Sequence, residues 1–310
     1  MTHATGNSEP TGTPEPAVDA EPPEDRDPAA EQDSLDAMLK RLSDATGEDF
    51  AGAETSFRTF MTGVESGVQE STLFEELYDL HASLTEERVL GKIRGVEAWA
   101  DGENNFRMVP KSWPSVIDKL YRINIEDNKQ FSYPPIVPTI YERAARTRTS
   151  AQQRWVTPRI AHEVADDLIR TKFVVPFADG VIDVSERVDA AINDCGLRRY
   201  KRYHAKDSGY HARHHYILIS VPGYDGQDAT VCVEVKILTK FQDTLGELTH
   251  LLYELKRTGR LPEEEKRKLA WLFDSPDFAA SYVGHTGHFI EASIVDLKQR
   301  LQGFEGIVNG

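Results

Sequence analysis

Between positions 231 and 237 every odd residue is apolar, Val231, Val233, Val235 and Ile237, while the even ones are Cys232, Glu234 and Lys236. A period of two is that of a β-strand, so the glutamate and lysine share one face with the cysteine. Tyr216-Ile-Leu-Ile-Ser-Val221 reads as a second strand, and Phe173-Val-Val175, closed by Pro176, as a third. Pro222-Gly-Tyr-Asp-Gly226 supplies a turn, and Ala178-Asp-Gly180 reads as another. Elsewhere the apolar period is helical. Ser34 precedes Leu35, Met38, Leu39 and Leu42 as a capping residue, and Phe74, Leu77, Leu80, Leu84 and Val89 form a longer stripe. Further helices are expected over 113–123, over 181–192 on Val181, Val184, Val188 and Ile192, and over 244–257, 262–273 and 290–302. Tyr133-Pro-Pro-Ile-Val-Pro138 has to be extended, because its prolines remove donors and restrict the residues before them.

These elements predict an α+β chain: a helical region over 34–100, a central region of strands and helices over 101–257, and a helical extension over 258–310. Residues 1–33 are rich in Pro, Glu, Asp, Ala and Thr without apolar periodicity. They cannot bury enough surface to offset ordering entropy and read as a disordered acidic tail. No internal repeat is visible.

The net charge of −15 looks hostile to polyanions until it is divided along the chain. Residues 1–50 hold thirteen Asp and Glu against three Lys and Arg, whereas 143–215 carry fourteen basic against nine acidic residues. The middle of the chain is therefore suited to phosphate. Two cysteines, Cys195 and Cys232, are too few for a disulfide framework and lack zinc spacing, which points to a reducing cytoplasm. No apolar run long enough to span a bilayer and no secretory signal at Met1–Asn7 is present, so no membrane association is expected.

Two carboxylates stand beside strands, Asp167 just before Phe173-Val-Val175 and Glu234 within the most regular strand pattern. Carboxylates on neighbouring strands are a common way to hold Mg²⁺ against substrate phosphates, although Glu234 could equally face water from one side of an antiparallel sheet. The run Leu197-Arg-Arg-Tyr-Lys-Arg-Tyr-His-Ala-Lys206 mixes bases with aromatics, as phosphate contact with base stacking requires, but solvated loop surface is the better reading of composition alone. His285, His288 and Glu291 recur at helical spacing as candidate ligands. The glycines among them weaken a helix, so capping or packing of the C-terminal helix is the better reading.

Four blocks, in order, resemble the nucleotidyltransferase domain of RelA/SpoT-type alarmone synthetases. Val109-Pro-Lys-Ser-Trp-Pro-Ser-Val-Ile-Asp-Lys-Leu120 is similar to the family's donor-ATP element, with Lys111, Ser112, Ser115 and Lys119 in register. Asp167-Leu-Ile-Arg-Thr-Lys-Phe-Val-Val-Pro-Phe177 resembles the strand that carries the metal-binding aspartate, here Asp167, and a basic donor-site residue, here Lys172. Lys206-Asp-Ser-Gly-Tyr-His-Ala-Arg-His214 resembles the acceptor element and implies Lys206, Gly209, Tyr210 and His214, with the tyrosine stacking on the acceptor base. Val233-Glu-Val-Lys-Ile-Leu-Thr239 resembles the strand with the second metal-binding or catalytic carboxylate, here Glu234. Val109 stands where the family has its donor-site arginine. The 52 positions from Ser115 to Asp167 imply an insertion that includes the proline-rich run.

The resemblance implies a mixed β-sheet flanked by helices and a synthetase without the hydrolase half, since no His-Asp pair occurs. It implies Mg²⁺ as cofactor, ATP as donor and a guanosine nucleotide as acceptor. Two alternatives stand beside it: the 3′ end of transfer RNA as acceptor, and a degenerate module that binds nucleotide without turnover. Oligomeric state is left open.

Overall fold

The computed structural model describes residues 35–89, 97–98, 106–128, 133–145, 152–224, 226–257, 261–262 and 272–308. The acidic tail and most of the helix expected over 262–273 lie outside the described residues. Three helices come first: α1 (Leu35–Thr46), α2 (Glu54–Gln69) and α3 (Thr72–Val89). Short elements follow: β1 (Glu97–Ala98), β2 (Val109–Pro110), α4 (Trp113–Tyr121) ending in a π-turn at Arg122–Glu126, β3 (Ile136–Val137), α5 (Ile140–Ala145), β4 (Gln152–Gln153) and α6 (Ala161–Val164). The main body comprises β5 (Ile169–Val175), α7 (Ala178–Asp194), β6 (Arg198–Ala205), β7 (His211–Pro222), β8 (Asp228–Thr239), α8 (Lys240–Arg257) and α9 (Pro276–Val308). The fold is α+β, as expected, and among the described residues no helix is long and apolar enough to cross a membrane.

The sheet runs β1-β5-β8-β7-β6, with β2 also on β5. Pairing is antiparallel except between β5 and β8, which are parallel. A parallel pair needs a crossover, and here α7 and the β6–β7 hairpin supply it. One face of the sheet is apolar: Ile169, Phe173, Val233, Val235, Ile237 and Ile217 share a core with α2, α3 and with α7 through Val184, Val188 and Ile192. The other face carries polar rows that cross four strands in register. One row is Arg170, Glu234, Tyr216 and Tyr200; the next is Lys172, Lys236, His214 and Arg202.

Several expectations are corrected. Ala178-Asp-Gly180 is the first turn of α7, because extended Phe177 already ends the connection from β5. The basic-aromatic run is edge strand β6 rather than loop. Its alternation turns Arg199 and Lys201 to Asp189 of α7, at 2.9 and 2.5 Å, and leaves Arg202 in the polar row. Helix α9 passes straight through Gly284 and Gly287. A Cβ on Gly284 would meet the Gly209 backbone at 2.7 Å, and one on Gly287 would meet the Phe241 ring at 2.1 Å. Close approach therefore demands the glycines that sequence reasoning took as helix-weakening. Gly67 acts similarly in α2, where a side chain would press on Val221 and Pro222.

His215 shows how the apolar face tolerates a polar group. It is fully buried, with Nε2 2.9 Å from Ser185 Oγ and Nδ1 3.5 Å from Asp189. Burial lowers its pKa to about 4, against the pull of Asp189. A group whose folded pKa lies below its unfolded value contributes stability above pH ~6.5 that drains away as pH falls toward the folded value. Urea unfolding of His215→Met between pH 6.5 and 4 should show a pH slope shallower by about one proton than the unsubstituted chain. Equal slopes would contradict the neutral, buried imidazole.

Candidate active site

The polar face is organised around two carboxylates. Asp167 sits at the entry to β5, whose parallel pairing aligns Ile169 with Val233 and Arg170 with Glu234. Two lysines converge on Asp167, Lys111 Nζ on Oδ2 at 2.7 Å and Lys119 Nζ on Oδ1 at 2.6 Å. Lys111 precedes α4, and its backbone N–H donates to Leu168 O at 2.7 Å. Lys119 lies in the last turn of α4, two helical turns on, so both ammonium groups meet one carboxylate. Ser112 is the residue before α4, in extended conformation, and its hydroxyl lies 2.9 Å from that of Ser115 on the exposed side.

Asp166 extends the cluster. Its Oδ1 takes Lys119 at 2.9 Å and its Oδ2 takes Arg143 at 3.1 Å. Arg143 belongs to α5, in the segment between α4 and β5, which is thus stitched into the site. That segment is also anchored by Asn124, whose side chain donates to Val156 O at 2.8 Å and accepts from Val156 N–H at 3.0 Å. Burial alone would raise the Asp167 carboxyl, but Lys119 and Lys111 outweigh it and hold Asp167 well below the usual carboxylate range. Burial opposes the Lys119 ammonium too, yet Asp167 and Asp166 raise its pKa. For Lys111 burial prevails and its pKa is lowered.

Glu234 is buried at 5% exposure. Its Oε1 lies 2.7 Å from His214 Nδ1 and its Oε2 3.4 Å from Lys236 Nζ. Burial would raise its pKa, but the His214 hydrogen bond and the Lys236 charge more than offset this, and Glu234 stays ionised. His214 Nε2 lies 3.0 Å from Tyr210 Oη, so a hydrogen-bonded chain runs from Tyr210 through His214 to Glu234. Tyr216 Oη reaches His214 Nδ1 at 3.2 Å and His204 Nε2 at 2.9 Å, closing the network.

The acceptor block forms the β6–β7 turn. Lys206 N–H donates to Tyr210 O at 3.0 Å and Gly209 N–H to Lys206 O at 2.8 Å. Gly209 has φ +79°, the left-handed region that favours glycine. The Lys206 ammonium lies 5.5 Å from the centre of the Tyr210 ring, which also packs on Val174, Ala212 and Leu238.

The structure thus gathers Lys111, Lys119 and Asp167, with Ser112 and Ser115 alongside, and separately links Tyr210 and His214 to Glu234 at the Lys206–Gly209 turn. Lys172 stands apart from Asp167, its ammonium 2.5 Å from Asp243 of α8. Sequence reasoning missed Asp166, Arg143, Asp243, Tyr216 and His204. Strand parity carried a signal for two of them, because His204, His214 and Tyr216 share even numbering on the paired strands β6 and β7.

Among the described residues no group of three His, Cys, Asp or Glu side chains could hold a metal ion. Asp167 and Glu234 nonetheless present hard carboxylate oxygens, which suit Mg²⁺ when substrate phosphates complete its shell.

No family model matches the chain, and no curated protein matches it. Solved structures do. A GTP pyrophosphokinase family protein from Streptococcus pneumoniae is 18% identical, with 75% of this chain and 93% of that one covered at a TM-score of 0.41. Small alarmone synthetase 1 from Bacillus subtilis, bound to its product pppGpp, is 16% identical, with 73% and 91% covered at 0.41. The same synthetase bound to AMPCPP is 17% identical, with 74% and 95% covered at 0.40.

Removing the Lys119 charge leaves Asp166 and Asp167 side by side with less compensation. Lys119→Met should cost about 2 kcal/mol in urea unfolding at pH 7, and Asp167→Asn in the same chain should recover part of that loss. Strictly additive losses would show that the pair contributes nothing to the folded state.

Proposed function

We propose that this chain transfers a pyrophosphoryl group from ATP to the 3′-hydroxyl of GDP or GTP, with Mg²⁺. The observation that carries the reading is the convergence of Lys111 and Lys119 on Asp167, on the sheet face where Glu234 is held by His214. Transfer between two polyanions requires concentrated positive charge, and Lys111, Lys119 and Arg170 would supply it to the triphosphate. Arg170 is the β5 residue in register with Glu234. With phosphate as the partner of the lysines, the Asp167 carboxylate would be free to serve as a metal ligand. Mg²⁺, held by Asp167 and Glu234 together with phosphate oxygens, would supply charge neutralisation at the transferred group.

The step itself balances simply. The acceptor 3′-oxygen forms a bond to the β-phosphorus, the bond from that phosphorus to the α-phosphate oxygen breaks, and AMP leaves. The hydroxyl proton passes to Glu234, which is ionised and fixed by His214. Tyr210 and Lys206, at the mouth of the hairpin turn, position the acceptor.

The transfer-RNA alternative draws less support. Such an acceptor needs a basic track outside the pocket, and of its candidates Arg198, Arg199, Lys201 and Arg202, both Arg199 and Lys201 are engaged by Asp189.

The test is turnover of ATP labelled on its terminal phosphate, with GDP, GTP and deacylated transfer RNA offered side by side. Asp167→Asn and Glu234→Gln should each lower transfer to the guanosine nucleotide by about 10²-fold or more with melting nearly unchanged. Near-normal turnover in either variant would remove the metal-site assignment, and label confined to RNA would replace the acceptor.

A further inference from the structure

A cavity of about 420 Å³ lies between β7, the start of α7 and the middle of α9, and the chemistry above makes no use of it. It sits on the opposite side of β7 from Glu234. His211 and Arg213 line it, whereas His214, on the alternate face, bonds to Glu234. Its size is that of pockets for nucleotide-sized ligands.

The wall is unusual in its unmet hydrogen bonds. His211 Nε2, Gln242 Nε2 and Glu291 Oε2 are buried without a hydrogen-bond partner among the described residues, and all three residues line this cavity. Each such group is costly to bury unless something in the cavity satisfies it. Their neighbours hold them in place. Gln242 Oε1 accepts from His211 N–H at 3.0 Å, and His211 stacks on His288 with ring centres 3.8 Å apart. His211 Nδ1 is 3.1 Å from Tyr203 Oη, and with that hydroxyl donating, Nε2 carries the ring proton. The wall therefore offers two donors, from His211 and Gln242, and one carboxylate acceptor. Glu291 has its pKa raised by burial, partly countered by a hydrogen bond from Thr239.

We propose that this cavity is a second ligand site, for a nucleotide whose base presents a lactam edge. The ring N–H of such a base donates to Glu291 while its carbonyl accepts from Gln242 or His211. Arg213 faces the anionic arm, and Tyr203, 54% exposed at the mouth, offers a ring for stacking. The apolar part of the wall, Val181, Ile182 and Val295, takes the flat body of the base. A lone phosphate would leave the Glu291 carboxylate unmet, and an adenine offers it only an exocyclic amine, with no ring N–H beside a carbonyl. The site stands on the other side of the sheet from the transfer chemistry and does not depend on that reading.

The test uses the full chain with GMP, AMP and ribose 5-phosphate as probes, and follows amide exchange of residues 285–299. GMP should slow that exchange at concentrations where AMP and ribose 5-phosphate do not. Glu291→Leu should raise the GMP midpoint by about tenfold or more, and Val295→Trp, which fills the cavity, should abolish the effect. Glu291→Gln keeps the shape and carries the same test should the leucine variant unfold. No slowing by GMP at millimolar concentration would leave the cavity a water-filled gap and overturn the proposal. Equal slowing by AMP, or slowing that survives both substitutions, would overturn it as well.

Discussion

The parallel pairing of β5 with β8 is the constraint on which the rest of the structure depends. It sets Asp167, two residues before one strand, beside the neighbouring strand that carries Glu234, although 67 positions separate them in the sequence. Within that interval the chain crosses over through α7 and returns as the β6–β7 hairpin, which adds His214 and Tyr210 beside Glu234. Local order of the polypeptide thus becomes local chemistry only through a non-local strand pair, and every strand contact from β8 to β6 inherits its register.

The two faces of this sheet divide the labour between stability and charge. On the apolar face, α2, α3 and α7 close one continuous core, and His215 is accepted there in neutral form beside Ser185. On the polar face, rows of charged and aromatic side chains face α5 and α8, and each carboxylate has cationic or imidazole partners. Buried charge of this density is costly unless paired. Under the proposed reading, phosphates entering the site would exchange one set of oxygens for another around Lys111 and Lys119, whose desolvation is already met in the fold.

Much of this was legible in the sequence because alternation and motif spacing are local properties. The even face of β8 followed from Val231 to Ile237 alone, and the lysines, Asp167 and Glu234 were named from their blocks. What remained hidden depended on tertiary context. Gly284 and Gly287 look helix-breaking until the backbone of Gly209 and the ring of Phe241 occupy the space beside them. The basic run at 198–202 looks like one patch until strand geometry sends Arg199 and Lys201 to Asp189. Asp166 and Arg143 escaped notice because their pairing joins α5 to a strand entry 23 positions away. Lys172, placed with the donor by resemblance, pairs with Asp243, a partner supplied by a helix that the blocks do not include.

The central claim is that the lysine–carboxylate cluster at Asp167 and the Glu234–His214 pair act together on a pyrophosphoryl group. Phosphorus NMR of the products formed from ATP and GDP with Mg²⁺ tests this most directly. The account predicts AMP together with a guanosine product bearing a diphosphate on its 3′-oxygen, in equal amounts. Formation of ADP and inorganic phosphate, or bound ATP left intact beside unchanged GDP, would contradict it.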